Sequence, residues 1–334
     1  MDSITNSNLW SRLTHGIHMR VSGEVGAATS LENDSQPFAG WADANQAGVW
    51  SVTSKTGTIC SLALLSALIV VLYGRVLVSM AGQWWSDPNY GHGFLVPVFA
   101  GYLLWRERDR IRKVPVQGSA WGLPVMLSAI GLLILGTLGS EHFTARISLL
   151  FLVSGLIVFL VGWQALRSVA FPLGYLVCMI PLPALVYYQL TFPLQLLASR
   201  LGASGLVALG VPTVREGNLL YLPNITLEVV EACSGVRSLL SLLTAIIGYV
   251  YLVEPRVWKR CVLVAATAPI VILSNGLRLV ATGVLSYFTG PGVEAGLAHT
   301  SLGLFFFGLA FLSILLIHRL LRRFNGKPVP IPEN

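Results

Sequence analysis

The sequence has 334 residues, of which 54% are hydrophobic and 11% are charged, and its formal net charge is +7. Soluble domains carry roughly 25% charged residues, so this composition excludes an ordinary soluble protein and indicates a chain with most of its surface in lipid. The net positive charge does not indicate nucleic-acid binding, because the Lys and Arg residues lie in short loops between apolar runs rather than in a separate basic patch.

The apolar runs predict an all-α integral membrane protein with about eight transmembrane helices, each near the roughly 20 residues that cross a bilayer. Residues 1–55 are rich in Ser, Asn, Gly and Ala, which predicts a disordered tail. A membrane domain over 56–325 and a short Pro-rich tail over 326–334 complete the chain. The predicted spans are 59–80, 91–105, 120–138, 147–165, 168–187, 235–253, 261–285 and 300–317.

The segment 188–234 is the longest stretch between predicted spans. Its first half is amphipathic, which favours a helix at the membrane interface or a re-entrant pair. In its second half, turn residues such as Gly217 and Asn218 separate short β-prone runs, which predicts a hairpin. We therefore expect a short helical and hairpin insertion outside the membrane before the sixth span.

The distribution of basic residues predicts the orientation. Sixteen Lys and Arg residues fall on one side of the predicted spans, and Arg146, Arg200 and Arg215 are the three on the other. Basic loops remain in the cytoplasm, so both termini are predicted to be cytoplasmic and segment 188–234 to lie outside.

Three polar residues interrupt the apolar background near the predicted outer ends of the last three spans: Cys233, Arg278 and His299. These residue types support nucleophilic catalysis, in which a thiolate attacks a carbonyl, a histidine moves the proton and a cation stabilises the oxyanion. A helix amino terminus at Cys233 favours the thiolate, and Arg237 one turn later adds to that effect. An Arg inside a span is costly and is usually functional or paired.

Simpler interpretations exist for each of these residues. A lone Cys in an apolar chain is usually inert packing, a His at the edge of a span is usually an interfacial polar residue, and an Arg near a helix end often reaches the headgroups. None of the four cysteines has the spacing of a metal site, so neither a metal nor another cofactor is expected. A polytopic transporter and a membrane acyltransferase using His299 remain alternatives. The transporter predicts two related halves, which the sequence lacks.

Four segments carry a resemblance to a known family. EACSGVRSLL contains Glu231, Cys233, Ser234, Gly235 and Arg237, NGLR runs from Asn275 to Arg278, and HTSLG begins at His299. An earlier stretch, WWSDPNYGHGF, contains Asp87, Asn89 and His92. In order and spacing these segments resemble the exosortase and archaeosortase family of membrane-embedded cysteine transpeptidases, from about residue 60 to 320.

The resemblance implies that Cys233 is the nucleophile, Arg278 the oxyanion-stabilising or substrate-positioning cation and His299 the general acid and base. Glu231, Ser234, Gly235, Arg237 and Asn275 would support them, and the early signature has no assigned role. The implied substrates are membrane-anchored proteins whose carboxy terminus carries a motif such as Pro-Glu-Pro, one transmembrane helix and a basic cluster.

The resemblance further implies cleavage on the periplasmic side of a bacterial inner membrane. Many similar proteins accompany exopolysaccharide machinery. No nucleic-acid partner is implied.

Overall fold

The computed structural model describes residues 55–223, 225–229, 235–290 and 297–323, and at 297–299 it describes the backbone alone. The tail predicted over 1–55 lies outside these ranges except for Lys55, which begins the first helix, and the tail predicted over 326–334 lies wholly outside them. The chain divides into two compact units, Met1–Ala63 and Leu64–Asn334. The described part of the former is the beginning of one helix, and the contacts below all lie within the latter.

The described residues are mostly helical. The helices are α1 Lys55–Ser86, α2 Leu95–Arg106, α3 Arg108–Arg112, α4 Gly122–Leu138, α5 His142–Leu160, α6 Trp163–Tyr175, α7 Ala184–Ala208, α8 Val236–Val253, α9 Val257–Thr289 and α10 Leu297–Arg323. Two short 3-10 helices, Gly91–Phe94 and Leu176–Met179, precede α2 and follow α6. Three strands, β1 Val214–Glu216, β2 Leu219–Leu222 and β3 Ile225–Glu228, lie between α7 and α8.

Five helical segments in the described residues are long and apolar enough to cross a membrane: Ala63–Ser86, His142–Leu160, Val236–Val253, Val257–Thr289 and Thr300–Arg323. The bent pair formed by Trp163–Met179 and Ala184–Ala208 makes a sixth if it is counted as one span. Helix α2, with 12 residues, is only about 18 Å long. The chain is therefore a multi-pass membrane protein, but its helices do not by themselves give eight full-length spans.

The fifth predicted span differs most from the structure. Two prolines, Pro181 and Pro183, separate the 3-10 helix ending at Met179 from α7, and the two helical parts meet at 74°. Proline lacks a backbone N–H and disfavours helix in the residue before it, so Pro-Leu-Pro ends the first helix and starts a second in a new direction. The hydropathy of 168–187 is continuous, which is why the sequence alone predicted one span.

Glycines allow α7 and α9 to approach closely. A Cβ added at Gly202 or Gly205 of α7 would collide with side chains of α9, and one added at Gly283 of α9 would collide with Leu206. Small residues at such crossings let helix backbones come together in a membrane, where packing replaces the hydrophobic effect. This close crossing fixes the part of α9 that contains Arg278.

The strands form a three-stranded antiparallel sheet with β2 in the centre. A two-residue turn at Gly217 and Asn218, with Gly217 at a φ of 61°, joins β1 to β2. The hairpin predicted from these turn residues is thus extended by a third strand. Leu220 and Leu227 pack against α7 and α9, so the sheet directs the chain from α7 to the start of α8.

Arg146 is not the loop charge that the orientation argument assumed. It lies within α5 with 4% of its surface exposed, and its Nη1 donates to Gln83 Oε1 of α1 at 2.8 Å. Its position near the start of an apolar helix made it look like a loop residue. Arg200 and Arg215, the other two residues counted on that side, lie in α7 and β1.

Candidate active site

Helix α9 contains the Asn-x-x-Arg segment about two thirds of the way along its length. Asn275 is buried, with 6% of its surface exposed, and Arg278 is half-buried. The two are three residues apart, so both point from one side of the helix. Leu279, directly after the arginine, packs on the sheet and fixes the rotation of α9.

The start of α8 meets α9 at Asn275. Gly235, the residue before α8, has a left-handed φ of 84°, which an L side chain rarely adopts. A Cβ at this position would lie 3.1 Å from Cγ of Asn275. The backbone conformation therefore favours glycine, and a Cβ here would also be tight against the Asn275 side chain. This contact joins the segment that contains the cysteine to the Asn-x-x-Arg segment.

Helix α10 meets α9 at Arg278. A Cβ at Gly303 would lie 3.8 Å from Cζ of Arg278, an ordinary van der Waals distance, so the guanidinium lies next to this position of α10. One turn away on α9, the Ser274 hydroxyl donates to the Phe306 carbonyl of α10 at 2.7 Å. The backbone of His299 belongs to the first turn of α10, about 6 Å before Gly303 along the helix axis.

A cavity of about 10 Å³ opens between the three helices. This volume holds about one water molecule. Its polar lining comes from Ser238 of α8 and from Ser274, Asn275 and Arg278 of α9, while Gly303 and Phe306 contribute from α10. Ser238 was not singled out from the sequence, although it is four residues after Ser234 and so repeats a polar position at helical spacing.

Three residues of the predicted site, Glu231, Cys233 and Ser234, lie outside the described residues, as does the side chain of His299. Each falls next to a segment that is described. Gly235 follows the cysteine by two positions, and Gly303 follows the histidine by four. The structure thus brings together Gly235, Asn275, Arg278 and Gly303.

The early signature contacts the same helix α8. The Asp87 carboxylate accepts the Asn89 N–H at 2.9 Å, and the Asn89 side-chain oxygen accepts from Nε of Arg237 at 3.2 Å. His92 Nδ1 lies 3.4 Å from the Ser241 hydroxyl, one turn further along α8. Residues with no assigned role in the sequence therefore lie against the helix that follows the cysteine.

The opposite end of α8, α9 and α10 contains a buried ionisable network. Glu254 and His318 are 3% and 2% exposed, and His318 Nε2 lies 3.2 Å from the carboxylate. The Tyr249 hydroxyl is 2.8 Å from Nδ1, which fits a ring protonated on Nε2. Lys259, 3% exposed, donates to the Leu321 carbonyl at 2.9 Å. The sequence placed these residues in basic cytoplasmic loops and gave no sign of their contacts.

Two carboxyl groups outside the membrane-spanning helices have lowered pKa values. Burial raises the pKa of Glu254, but hydrogen bonds from the Arg256 N–H and from His318, with the Lys259 charge, lower it below its ordinary value of 4.5. Burial also raises the pKa of Glu141, and the N–H and hydroxyl of Thr144 lower it overall. Both groups are therefore stabilised as carboxylates.

Within the part of the chain that the structure describes, no three His, Cys, Asp or Glu side chains come together as a metal site. Cys60, Cys178 and Cys261 are free cysteines, and Cys60 and Cys261 are exposed.

A family model described as transmembrane exosortase matches residues 84–316. The chain belongs to this family. The match covers the early signature and all three segments that meet at the cavity. Neither a curated protein nor a solved structure matches the chain significantly. Membership of the exosortase family indicates a membrane transpeptidase with a role in sorting proteins that carry sorting signals.

Proposed function

We propose that this exosortase-family protein is a cysteine transpeptidase that cleaves carboxy-terminal sorting signals at the outer face of the inner membrane. The main supporting observation is that three segments distant in sequence meet in the structure, with Gly235 against Asn275 and Arg278 against Gly303. Only Ser234 separates Cys233 from Gly235, so chain connectivity limits their Cα separation to roughly 7 Å, which supports a thiol close to the Gly235–Asn275 contact. The substrate is a protein with a short motif, a transmembrane helix and a basic cluster.

In the proposed reaction, His299 takes the proton of the Cys233 thiol, the resulting thiolate attacks the scissile carbonyl carbon, and the carbonyl electrons move to oxygen. The Arg278 guanidinium stabilises this oxyanion, which is the role of fixed cations in acyl transfer. Collapse of the intermediate breaks the C–N bond, and the departing amine takes a proton from His299. The acyl group remains on sulfur as a thioester until water or an amine acceptor releases it, with His299 accepting the proton of the attacking group.

The water-sized cavity suits this chemistry. Ser238, Asn275 and Arg278 supply polar groups at its wall, while Phe306 and its apolar neighbours restrict water. Electrostatic stabilisation is stronger in such a low-dielectric site than in bulk water. Asn275 and Ser274 tie the arginine-bearing turn to α8 and α10, which keeps the guanidinium in one place during the reaction.

The proposed topology has both termini in the cytoplasm and the sheet outside. It is supported by the asymmetric distribution of basic residues in the sequence. Single cysteines introduced at Gly217 and at Val116 in a chain without native cysteines test this topology with an impermeant thiol reagent. Gly217→Cys should be labelled in spheroplasts and Val116→Cys only after lysis. The reverse pattern would contradict the orientation.

The experiment that tests the activity uses a reporter ending in Pro-Glu-Pro, one transmembrane helix and an arginine cluster, expressed with the full-length protein. Cys233→Ala should accumulate uncleaved reporter at normal protein level. Cys261→Ala, at an exposed free cysteine, is the matched control and should process the reporter normally. Normal processing by Cys233→Ala would exclude the cysteine mechanism and leave the acyltransferase and transporter alternatives.

A further inference from the structure

Arg237 lies beside the candidate active site, and among the described residues only the Nε of its guanidinium has a hydrogen-bond partner. It lies in the first turn of α8 and is half-buried. Its Nε donates to Asn89 Oδ1 at 3.2 Å, and Asn89 is itself held by Asp87. No Asp or Glu among the described residues forms an ion pair with Arg237. The contact through Nε orients the guanidinium and leaves its two Nη groups as a fork of donors.

The rotation of α8 places this fork next to the cavity rather than in it. Ser238 and Leu242 line the cavity, whereas Arg237 and Ser241 contact the early signature. Successive helical residues are about 100° apart, so these two pairs occupy adjacent faces of one helix. When the scissile carbonyl of a substrate lies at Arg278, the residue of the substrate that lies at Arg237 is therefore a neighbour of the scissile bond and not the reacting group itself.

The chemistry of a half-buried arginine selects its ligand. A guanidinium removed from water is destabilised unless an anion pairs with it, and its planar fork fits a carboxylate with two parallel hydrogen bonds. An arginine that served only to reach lipid headgroups would extend towards them, and its Nε would not be bound to Asn89. A neutral or basic substrate segment would leave the fork unsatisfied.

We propose that Arg237, oriented by Asn89, binds a carboxylate side chain of the substrate segment next to the scissile bond. This proposal rests on the proposed function and assigns the early signature a task, which is to hold the selecting cation. It makes Arg237 a specificity-determining residue, separate from the groups that act on the reacting carbonyl.

The test measures binding separately from cleavage. The full-length Cys233→Ala protein, in zwitterionic bilayers, is titrated with two synthetic probes that end in a transmembrane helix and an arginine tail. One probe has Pro-Glu-Pro before the helix and the other has Pro-Gln-Pro. We expect the acidic probe to bind at least about tenfold more tightly, the scale of a charge-assisted hydrogen bond. Equal binding of the two probes would overturn the proposal.

Variants then test whether Arg237 is the residue that produces the preference for the acidic probe. Adding Arg237→Gln should reduce the preference to about one while binding of the amide probe stays unchanged. Arg200→Gln removes an exposed outer arginine and should keep the full preference. Asn89→Asp keeps the side-chain shape but supplies an internal carboxylate to Arg237, so it should also abolish the preference. A preference that survives Arg237→Gln would overturn the proposal.

Further outcomes distinguish this proposal from binding of lipid headgroups and from the proposed cleavage reaction. A probe preference that depends on anionic lipid, and not on the charge of the probe, would assign Arg237 to headgroups and overturn the proposal. If the protein with Cys233 intact cleaves the reporter but the two probes bind equally, the proposal for Arg237 is overturned and the proposed function is retained. An Arg237-dependent acid preference without Cys233-dependent cleavage would support the binding site and reject the cysteine mechanism.

Discussion

The two ends of the bundle formed by α8, α9 and α10 contain polar groups in opposite states. At the end with Glu254, His318 and Lys259, the side chains are at most 3% exposed and each has a described partner. At the end with Arg237 and Arg278, the guanidinium groups are half-buried, and Arg278 faces a cavity. The former arrangement is that of a structural clasp, because each of these buried side chains already contacts a described partner inside the bundle. The latter places two cations beside a cavity that has room for about one water molecule.

Burial of a charged side chain does not by itself mark a functional site. A buried ion pair is maintained by its partners, and removing one partner costs more than the pair contributes. Charges beside a cavity with donors to spare are the ones that a substrate can complete. Variants at the two ends should therefore separate stability from activity.

The largest expected effect is at the end with the cavity. His299→Ala should reduce reporter processing about a thousandfold, roughly 4 kcal/mol of barrier, because the leaving amine loses its proton donor. The matched control is His142→Ala, at an exposed histidine whose ring Nδ1 lies 3.1 Å from the Ser140 carbonyl oxygen. Initial rates of reporter cleavage, normalised to protein level, measure both. Equal rates for the two variants would remove His299 from the mechanism.

The second effect is at the clasp. Glu254→Gln should lower the free energy of unfolding by about 3 kcal/mol, because His318 and Lys259 lose the carboxylate that faces them. Processing per folded molecule should stay near that of the unmodified protein. Thermal unfolding in detergent and the cleavage assay give the two quantities. A variant with normal stability and low activity would make the clasp part of the active site.

Arg278→Lys should have a smaller effect, with protein at normal level and processing reduced at least about tenfold, roughly 1.4 kcal/mol. Lysine preserves the charge but not the rigid planar fork that faces Gly303. Arg237→Lys should retain more processing of an acidic reporter than Arg278→Lys does, and this difference separates the roles of the two arginines. Near-normal cleavage by Arg278→Lys would favour a structural role for the arginine.

The smallest effect concerns pH. Because the folded pKa of Glu254 lies below 4.5, its contribution to stability is present above the unfolded value and is lost as pH falls through the folded value. Stability should therefore decline from about pH 5 downwards, and the decline should be shallower in Glu254→Gln. Thermal midpoints measured across this range check the sign. Identical acid profiles would exclude Glu254 as a contributor.

The sequence predicted the elements whose information is local. The apolar runs that became α8, α9 and α10 were located within a few residues, because span length and hydropathy are properties of a continuous stretch. The turn at Gly217 and Asn218 was predicted from residue type for the same reason. The motifs around Cys233, Arg278 and His299 selected the segments that later proved adjacent, although the roles of these residues remain predictions.

Only the tertiary structure decided which distant groups meet. Asn89 and Arg237 are 148 residues apart, and His318 and Glu254 are 64 apart. No periodicity relates such pairs, because their contact depends on how side chains pack at helix crossings. Burial has the same origin, which is why Arg146 looked like a loop charge in the sequence and is 4% exposed in the fold. The sequence by itself determined the apolar segments that became α8, α9 and α10 and the candidate chemistry, and packing determined which charges are buried against partners and which lie beside the cavity.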